Sequence, residues 1–142
     1  MSAGAAIVPG RGIAGVRIGN SGAQVRGALG KPRKIVPPTW VFGAPLKGRV
    51  GFNHARRVND IWTTSARQRT AKGVGPGSSL RRVKHAYPTA KCDREPKGKQ
   101  LCTLASHRRH HTIKTAFLLR GGHLRLVEIY SVIPPSGTSV PK

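Results

Sequence analysis

Gly15-Val16-Arg17-Ile18-Gly19-Asn20-Ser21-Gly22-Ala23-Gln24-Val25-Arg26-Gly27-Ala28-Leu29-Gly30-Lys31-Pro32 is the stretch whose reading decides the fold. Asn20 or Ser21 can cap a helix, because a side-chain oxygen there accepts from the orphan amides of the first turn. Val25, Ala28 and Leu29 then share one face at i, i+3, i+4. Gly30 suits the left-handed position after a helix, and Pro32 prevents its resumption. A short helix over about 21–29 follows, marginal by itself and dependent on tertiary packing.

The stretch recurs, loosely, at 73–88. With an offset of 58, Gly15 meets Gly73, Gly19 meets Gly77, Ser21 meets Ser79, Val25 meets Val83 and Ala28 meets Ala86. Ser78 or Ser79 caps a second helix near 79–87, with Leu80, Val83 and Tyr87 as its apolar stripe and Pro88 after its end. Strands are expected at 39–42, 49–53 and 57–64 after the first helix, and at 100–105, 112–120 and 123–132 after the second. Gly121-Gly122 makes a hairpin turn between the last two, since both glycines tolerate positive φ. Val58 to Thr63 aligns with Leu126 to Ser131 at an offset of 68, which places a ten-residue insertion, read as a loop, over 91–100.

The expected fold is therefore α+β: two tandem helix-plus-three-strand repeats forming an antiparallel sheet with short helices packed on one face. The organisation is a flexible N-terminal arm over 1–14, repeat 1 over 15–72, repeat 2 over 73–132 with its Cys-bracketed insertion, and a flexible tail over 133–142. A chain of 142 residues makes one ordinary domain or two small halves sharing a core.

These residues resemble a known family. Gly19-Asn20-Ser21-Gly22-Ala23-Gln24-Val25 through Leu29-Gly30-Lys31-Pro32 is similar to the Gly-x-Ser/Thr-x-x-Gln/Glu-Val…Leu-Gly-x-Pro signature of the BamE (SmpA/OmlA) family. That family shares its helix-plus-sheet unit with the β-lactamase inhibitory protein, which uses two in tandem, and it is the tandem form that this chain resembles. The resemblance implies a secreted, non-catalytic protein-binding module. It carries over no binding residues.

Charge bears on the partner. There are 26 Lys and Arg against four acids, Asp60, Asp93, Glu95 and Glu128, for a net charge of +22. That balance favours polyanions such as cell-wall polymer or nucleic acid. The bases divide evenly, 13 in 1–72 and 13 in 73–142, without the block that marks a nucleic-acid-binding arm. A solvated basic surface with weak polyanion binding is expected, through Arg81, Arg82, Lys84, Arg108 and Arg109. No apolar run is long enough to span a bilayer. Met-Ser-Ala-Gly-Ala-Ala has neither a charged n-region nor an apolar h-region, so this form is expected to lack a signal peptide while the protein acts in a secreted or extracytoplasmic setting.

Cys92 and Cys102 bracket the insertion, and a disulfide there would close it. The rival is zinc, from Cys92, Cys102, His107 and His110 or His111, but Cys-x9-Cys departs from the usual knuckle spacing. No metal or cofactor is expected. Gly73-Val74-Gly75-Pro76-Gly77-Ser78-Ser79 before a helix could cradle phosphate but lacks the Lys of a P-loop, so a structural turn is expected. Asp60 and Glu128 are repeat equivalents, a possible carboxylate pair. The alternative is that each pairs with an Arg of a neighbouring strand. On strand alternation Asp60 shares a face with Val58 and Trp62, and Glu128 with Leu126 and Tyr130. Trp40, Trp62 and Tyr130 are the candidate anchors for a protein partner. No nucleophile–base constellation is present, and the expected class is not an enzyme.

Overall fold

A computed structural model of the chain describes residues 6–132. The first helix, α1 (Gly22–Leu29), starts as its sequence dictates. The Ser21 hydroxyl accepts from the Gln24 amide at 3.2 Å, and the Gln24 side chain accepts from the Ser21 amide at 2.8 Å, a reciprocal capping box. Val25 is the helix's buried residue, and Gly30 ends it at φ 78°. Each conspicuous residue of the Gly19–Pro32 signature thus has a local structural task. In α2 (Leu80–Ala86), Ser79 caps the Arg82 amide, and Val83 and Ala86 are buried.

Four strands follow each helix. After α1 come β4 (Lys34–Val36), β5 (Thr39–Phe42), β6 (Gly48–Phe52) and β7 (Val58–Thr63). After α2 come β8 (Lys91–Glu95), β9 (Lys99–His107), β10 (Thr112–Arg120) and β11 (His123–Val132). All eight join one antiparallel sheet in the order β4-β5-β6-β7-β11-β10-β9-β8. The middle of the sheet is therefore the pairing of β7 with β11, Ile61 opposite Ile129. Gly121 and Gly122, at φ 61° and 79°, turn β10 into β11.

The expected α+β repeat architecture is overturned. Among the described residues there are eleven strands and only two α-helices, of eight and seven residues. The molecule is mostly β, an eight-stranded sheet with a second, three-stranded one, and not a series of helix-plus-three-strand units. The difference lies in segments whose strand character comes from pairing and not from periodicity. The expected loop over 91–100 is a hairpin: β8 pairs with β9 around a tight turn at Pro96–Gly98. The expected loose arm holds structure from Ala6 onward. There β1 (Ile7–Val8), β2 (Gly12–Ile13) and β3 (Val16–Arg17) form the small sheet, with Ile7, Ile13 and Val16 fully buried. Two-residue strands are too short for any repeat to be read, and these hold because their apolar side chains complete the core. The expected tail over 133–142 lies outside the described residues.

Register assigns the two faces of the large sheet. Val50, Ile61, Ile129 and Thr115 stand side by side across β6, β7, β11 and β10, and all four are buried. Onto this face fold α1, α2 and the small sheet, making one core cluster that includes Val25, Val83, Ile13 and Phe117. Tyr87, at the end of α2, stacks on Phe117 with ring centroids 5.6 Å apart.

Phe117 is fully buried where α2, β10 and the middle of the sheet meet. Phe117→Ala is expected to cost about 3–5 kcal/mol, read as a lowered urea midpoint in circular dichroism. A change within about 0.5 kcal/mol, the range of ordinary surface substitutions, would show that the core is centred elsewhere.

Candidate functional site

The three aromatic candidates do not share a surface. Trp40 pairs with Val50 in register and so lies on the helix-bearing face. Its ring sits 4.6 Å from that of Phe52, centroid to centroid, and Arg26 of α1 lies 5.0 Å over it. A β-carbon at Gly22 would come within 3.0 Å of the indole, so the helix start and Trp40 are in close contact. Trp62 and Tyr130 lie on the opposite face, where register sets Trp62 beside Glu128 and Asp60 beside Tyr130.

That opposite face carries two cross-strand rows. One runs Thr39, Gly51, Asp60, Tyr130, Lys114, and the other runs Val41, Arg49, Trp62, Glu128, Ala116. Apart from Gly51 and Ala116, which are buried, all are half-buried or exposed. The Arg49 guanidinium stands 5.4 Å from the Trp62 ring, a cation–π contact. Val58 does not share Asp60's face as strict alternation requires. The register passes from Gly51 opposite Asp60 to Phe52 opposite Val58, so Asn59 is an extra residue, and this bulge turns Val58 into the core.

Asp60 and Glu128 meet across the middle seam and hydrogen-bond to each other. The expectation that each would pair with an Arg is corrected, since among the described residues no base forms a salt bridge with either. Burial first, then the hydrogen bond and the negative charge of Glu128, push the Asp60 carboxyl up to about 8 from an ordinary 3.8. At neutral pH Asp60 therefore holds its proton and donates it to Glu128, while its other oxygen, Oδ1, is buried without a partner. Burial, with Glu128 and Asp60 next in order, also raises the Tyr130 hydroxyl.

Cys92 and Cys102 are joined as a disulfide. They are directly opposed in the β8–β9 hairpin, so the bond staples the outer edge of the sheet. The zinc alternative thereby loses both thiolates, and among the described residues no three His, Cys, Asp or Glu side chains gather closely enough to hold a metal ion. The basic candidates separate. Arg81, Arg82 and Lys84 lie on α2, whose first residue is bonded to the β10–β11 turn through the Leu80 amide and the Gly122 carbonyl. Arg108 and Arg109 lie in the β9–β10 turn, at the other end of β10. Gly77 and Ser78 bond to that same hairpin: the Gly77 amide donates to the Leu124 carbonyl and the Ser78 carbonyl accepts from the Leu124 amide. The glycine-rich segment is a structural turn.

Composition gave no direct sign of one further feature. Beside Trp40 lies a cavity of about 320 Å3 lined by Gly22, Ile35, Pro37, Pro38, Trp40, Phe52, Asn53 and Arg56. Ile35 belongs to β4, the end strand of the sheet, and both Ile35 and Val36 are 48% exposed. The signal available in the sequence was this apolar pair standing before Pro37-Pro38 in an otherwise basic stretch.

No family model and no curated protein matches the sequence. Among solved structures, the fold is similar to the crystal structure of a DUF4309 family protein, YjgB, from Bacillus subtilis subsp. subtilis strain 168. The TM-score is 0.63, at 12% identity, over 87% of this chain and 88% of that one. At that identity the likeness shows the fold alone. No helix among the described residues is long and apolar enough to cross a membrane.

The Asp60–Glu128 pair sets a pH dependence. The folded state keeps a proton that the unfolded chain releases above about pH 4, so this contribution to stability is fully present below that pH. It is lost as pH rises through about 8. Asp60→Asn keeps a donor toward Glu128 but cannot ionise. It is expected to gain on the order of 1–2 kcal/mol over the parent at pH 9, after discounting for solvent screening, and little at pH 4. Urea midpoints at both pH values decide it, and parallel pH profiles for the two proteins would refute the shared proton.

Proposed function

We propose that this chain is an extracytoplasmic, non-catalytic binding module that takes up an extended, acidic segment of a protein partner along β4. The observation that carries the reading is the difference between the two edges of the sheet. The β8 edge, Lys91-Cys92-Asp93-Arg94-Glu95, has four charged residues of five and is stapled to β9 by the disulfide, features that discourage strand addition. The β4 edge presents Ile35 and Val36 beside the apolar cavity, an arrangement suited to a partner strand whose backbone pairs with β4 while one bulky side chain fills the pocket.

Charge specifies the partner. Residues 1–59 contain ten Lys or Arg and no Asp or Glu. Lys31, Arg33 and Lys34 flank β4, and Arg56 lines the cavity. A disulfide between the only two cysteines suits an oxidising compartment. Neither Asp60 nor Glu128 lines the cavity, which supports a binding role over a catalytic one. The resemblance of Gly19–Pro32 to the BamE signature points to protein binding as well.

Selection of displayed random peptides on the full chain tests the reading. Selected peptides are expected to share one bulky apolar residue within an acidic, extended run. Ile35→Asp should weaken them at least tenfold, about 1.4 kcal/mol, without lowering the melting temperature, because Ile35 is exposed. Peptides with no such pattern, or binding that is indifferent to Ile35→Asp and lost in Trp62→Ala, would move the site to the other face of the sheet.

A further inference from the structure

A second surface, which shares only Asn53 with the β4 cavity, gathers guanidinium groups with no carboxylate among the described residues to meet them. Where the β9–β10 turn approaches the small sheet, a cavity of about 380 Å3 is lined by Arg11, Arg17, Arg108 and His111. A second, of about 320 Å3, is lined by Arg57, His110 and His111. Both include Ile18 and His111, so they lie side by side along one groove that those two residues divide. The four arginines come from three remote parts of the chain, and tertiary structure alone brings them together.

Their positions are fixed by the fold. The Gly10 amide donates to the Thr115 hydroxyl of β10 at 2.8 Å, which docks the β1–β2 turn beside Arg11. Arg108 donates through Nη2 to the Gly10 carbonyl at 3.0 Å, leaving its other nitrogens for a ligand. Asn20 Oδ1 accepts from the Arg17 amide at 2.9 Å, and the Ile18 amide donates to the Arg11 carbonyl at 3.0 Å. Like charges held in one concavity repel, and among the described residues no acidic side chain lines either cavity to relieve this.

The lining also specifies chemistry. A planar guanidinium presents paired N–H donors that match two oxygens of a phosphate. Asn53, Asn59 and Ser131 add neutral polar groups in the second cavity. Among the described residues no Phe, Tyr or Trp lines either cavity, and the imidazoles of His110 and His111 are the only rings there, so the groove lacks the large stacking platforms of base-binding proteins. From these features we infer that the groove binds a linear, multiply charged phosphate chain without bases. In this arrangement Arg11, Arg17 and Arg108 hold one segment, and Arg57, His110 and His111 hold the next.

The test is calorimetric titration of the full-length protein with tripolyphosphate at about 0.15 M salt. Inorganic phosphate and a single-stranded DNA of matched charge run in parallel. Tripolyphosphate is expected to bind at least tenfold tighter than either. The double substitution Arg11→Gln/Arg17→Gln should weaken it at least tenfold. Arg81→Gln/Arg82→Gln, with the same loss of charge at the far end of β10, should change it less than twofold. Because Arg108 also bonds to Gly10, a melting curve accompanies any variant there, and Arg57→Gln serves as an independent probe of the second cavity. Equal losses in the two double variants would mean that net charge alone attracts the anion and would overturn the site. So would absence of binding at this salt, or DNA binding tighter than tripolyphosphate. Ile35→Asp should leave tripolyphosphate binding unchanged, so failure of this site and failure of the β4 reading are separable.

Discussion

The pairing of β7 with β11 is the constraint on which the rest of the structure depends. Only four residue pairs make it, from Val127 opposite Thr63 to Tyr130 opposite Asp60, yet it alone joins β4–β7 to β8–β11. Ile61 and Ile129 are opposed at its middle, and both are fully buried. A slip of one residue would carry these isoleucines to solvent and the carboxyls into the core. The same register that closes the core therefore decides that Asp60, Trp62, Glu128 and Tyr130 lie together on the other face. Because its partners are about 68 residues apart, this pairing bears a large loop-closure entropy, and helix caps and local hairpins can form before it does.

The extreme basicity has a structural consequence of its own. Of four acids, two are engaged with each other at the seam and two lie on β8. The bases must find other partners, and they use carbonyl oxygens and ring faces. Arg69, Lys72, Arg82 and Arg108 donate to the carbonyls of Gly73, Ala86, Lys72 and Gly10. Arg26, Arg49 and Lys72 sit over Trp40, Trp62 and Tyr87. Such contacts place a cation without neutralising it. The surface keeps its field, and whatever neutralises it must come from outside the chain, as counterions or a bound anion.

Local chemistry was legible in the sequence, and long-range register was not. Ser21, Gly30 and Pro32 announced α1, Ser79 announced α2, and Gly121-Gly122 announced the last hairpin, because each signal is complete within a few residues. β8 was hidden because four of its five residues are charged, and β1–β3 because two residues cannot show a period. Among site residues, Cys92 and Cys102 were found from their count and spacing. The aromatic trio was named but could not be divided. Which face Trp40 shares with Val50, and which Trp62 shares with Glu128, follows from pairings between distant strands and from a bulge at Asn59 that no alternation rule foresees. Asp60 and Glu128 could be aligned with each other. That they would prefer each other to the many arginines depends on burial at the seam, which makes one shared proton less costly than a second charge. The arginine groove was invisible for the same reason: Arg11, Arg57 and Arg108 are neighbours only after folding.

An exposed apolar edge strand is ordinarily a hazard, because two copies of the same chain can pair through it. Here charge opposes that outcome. A second copy brings its own Lys31, Arg33 and Lys34 to the same edge, with no acid before Asp60 to answer them, and each molecule carries a net charge of +22. Like charges set side by side on adjacent strands destabilise the pair, and the overall field keeps copies apart. On the proposed reading, the edge that would admit a strand is coupled to a charge distribution that disfavours the chain's own edge and favours an acidic one. No element among the described residues covers Ile35 and Val36, so on that reading the surrounding bases are what discourage pairing with a second copy.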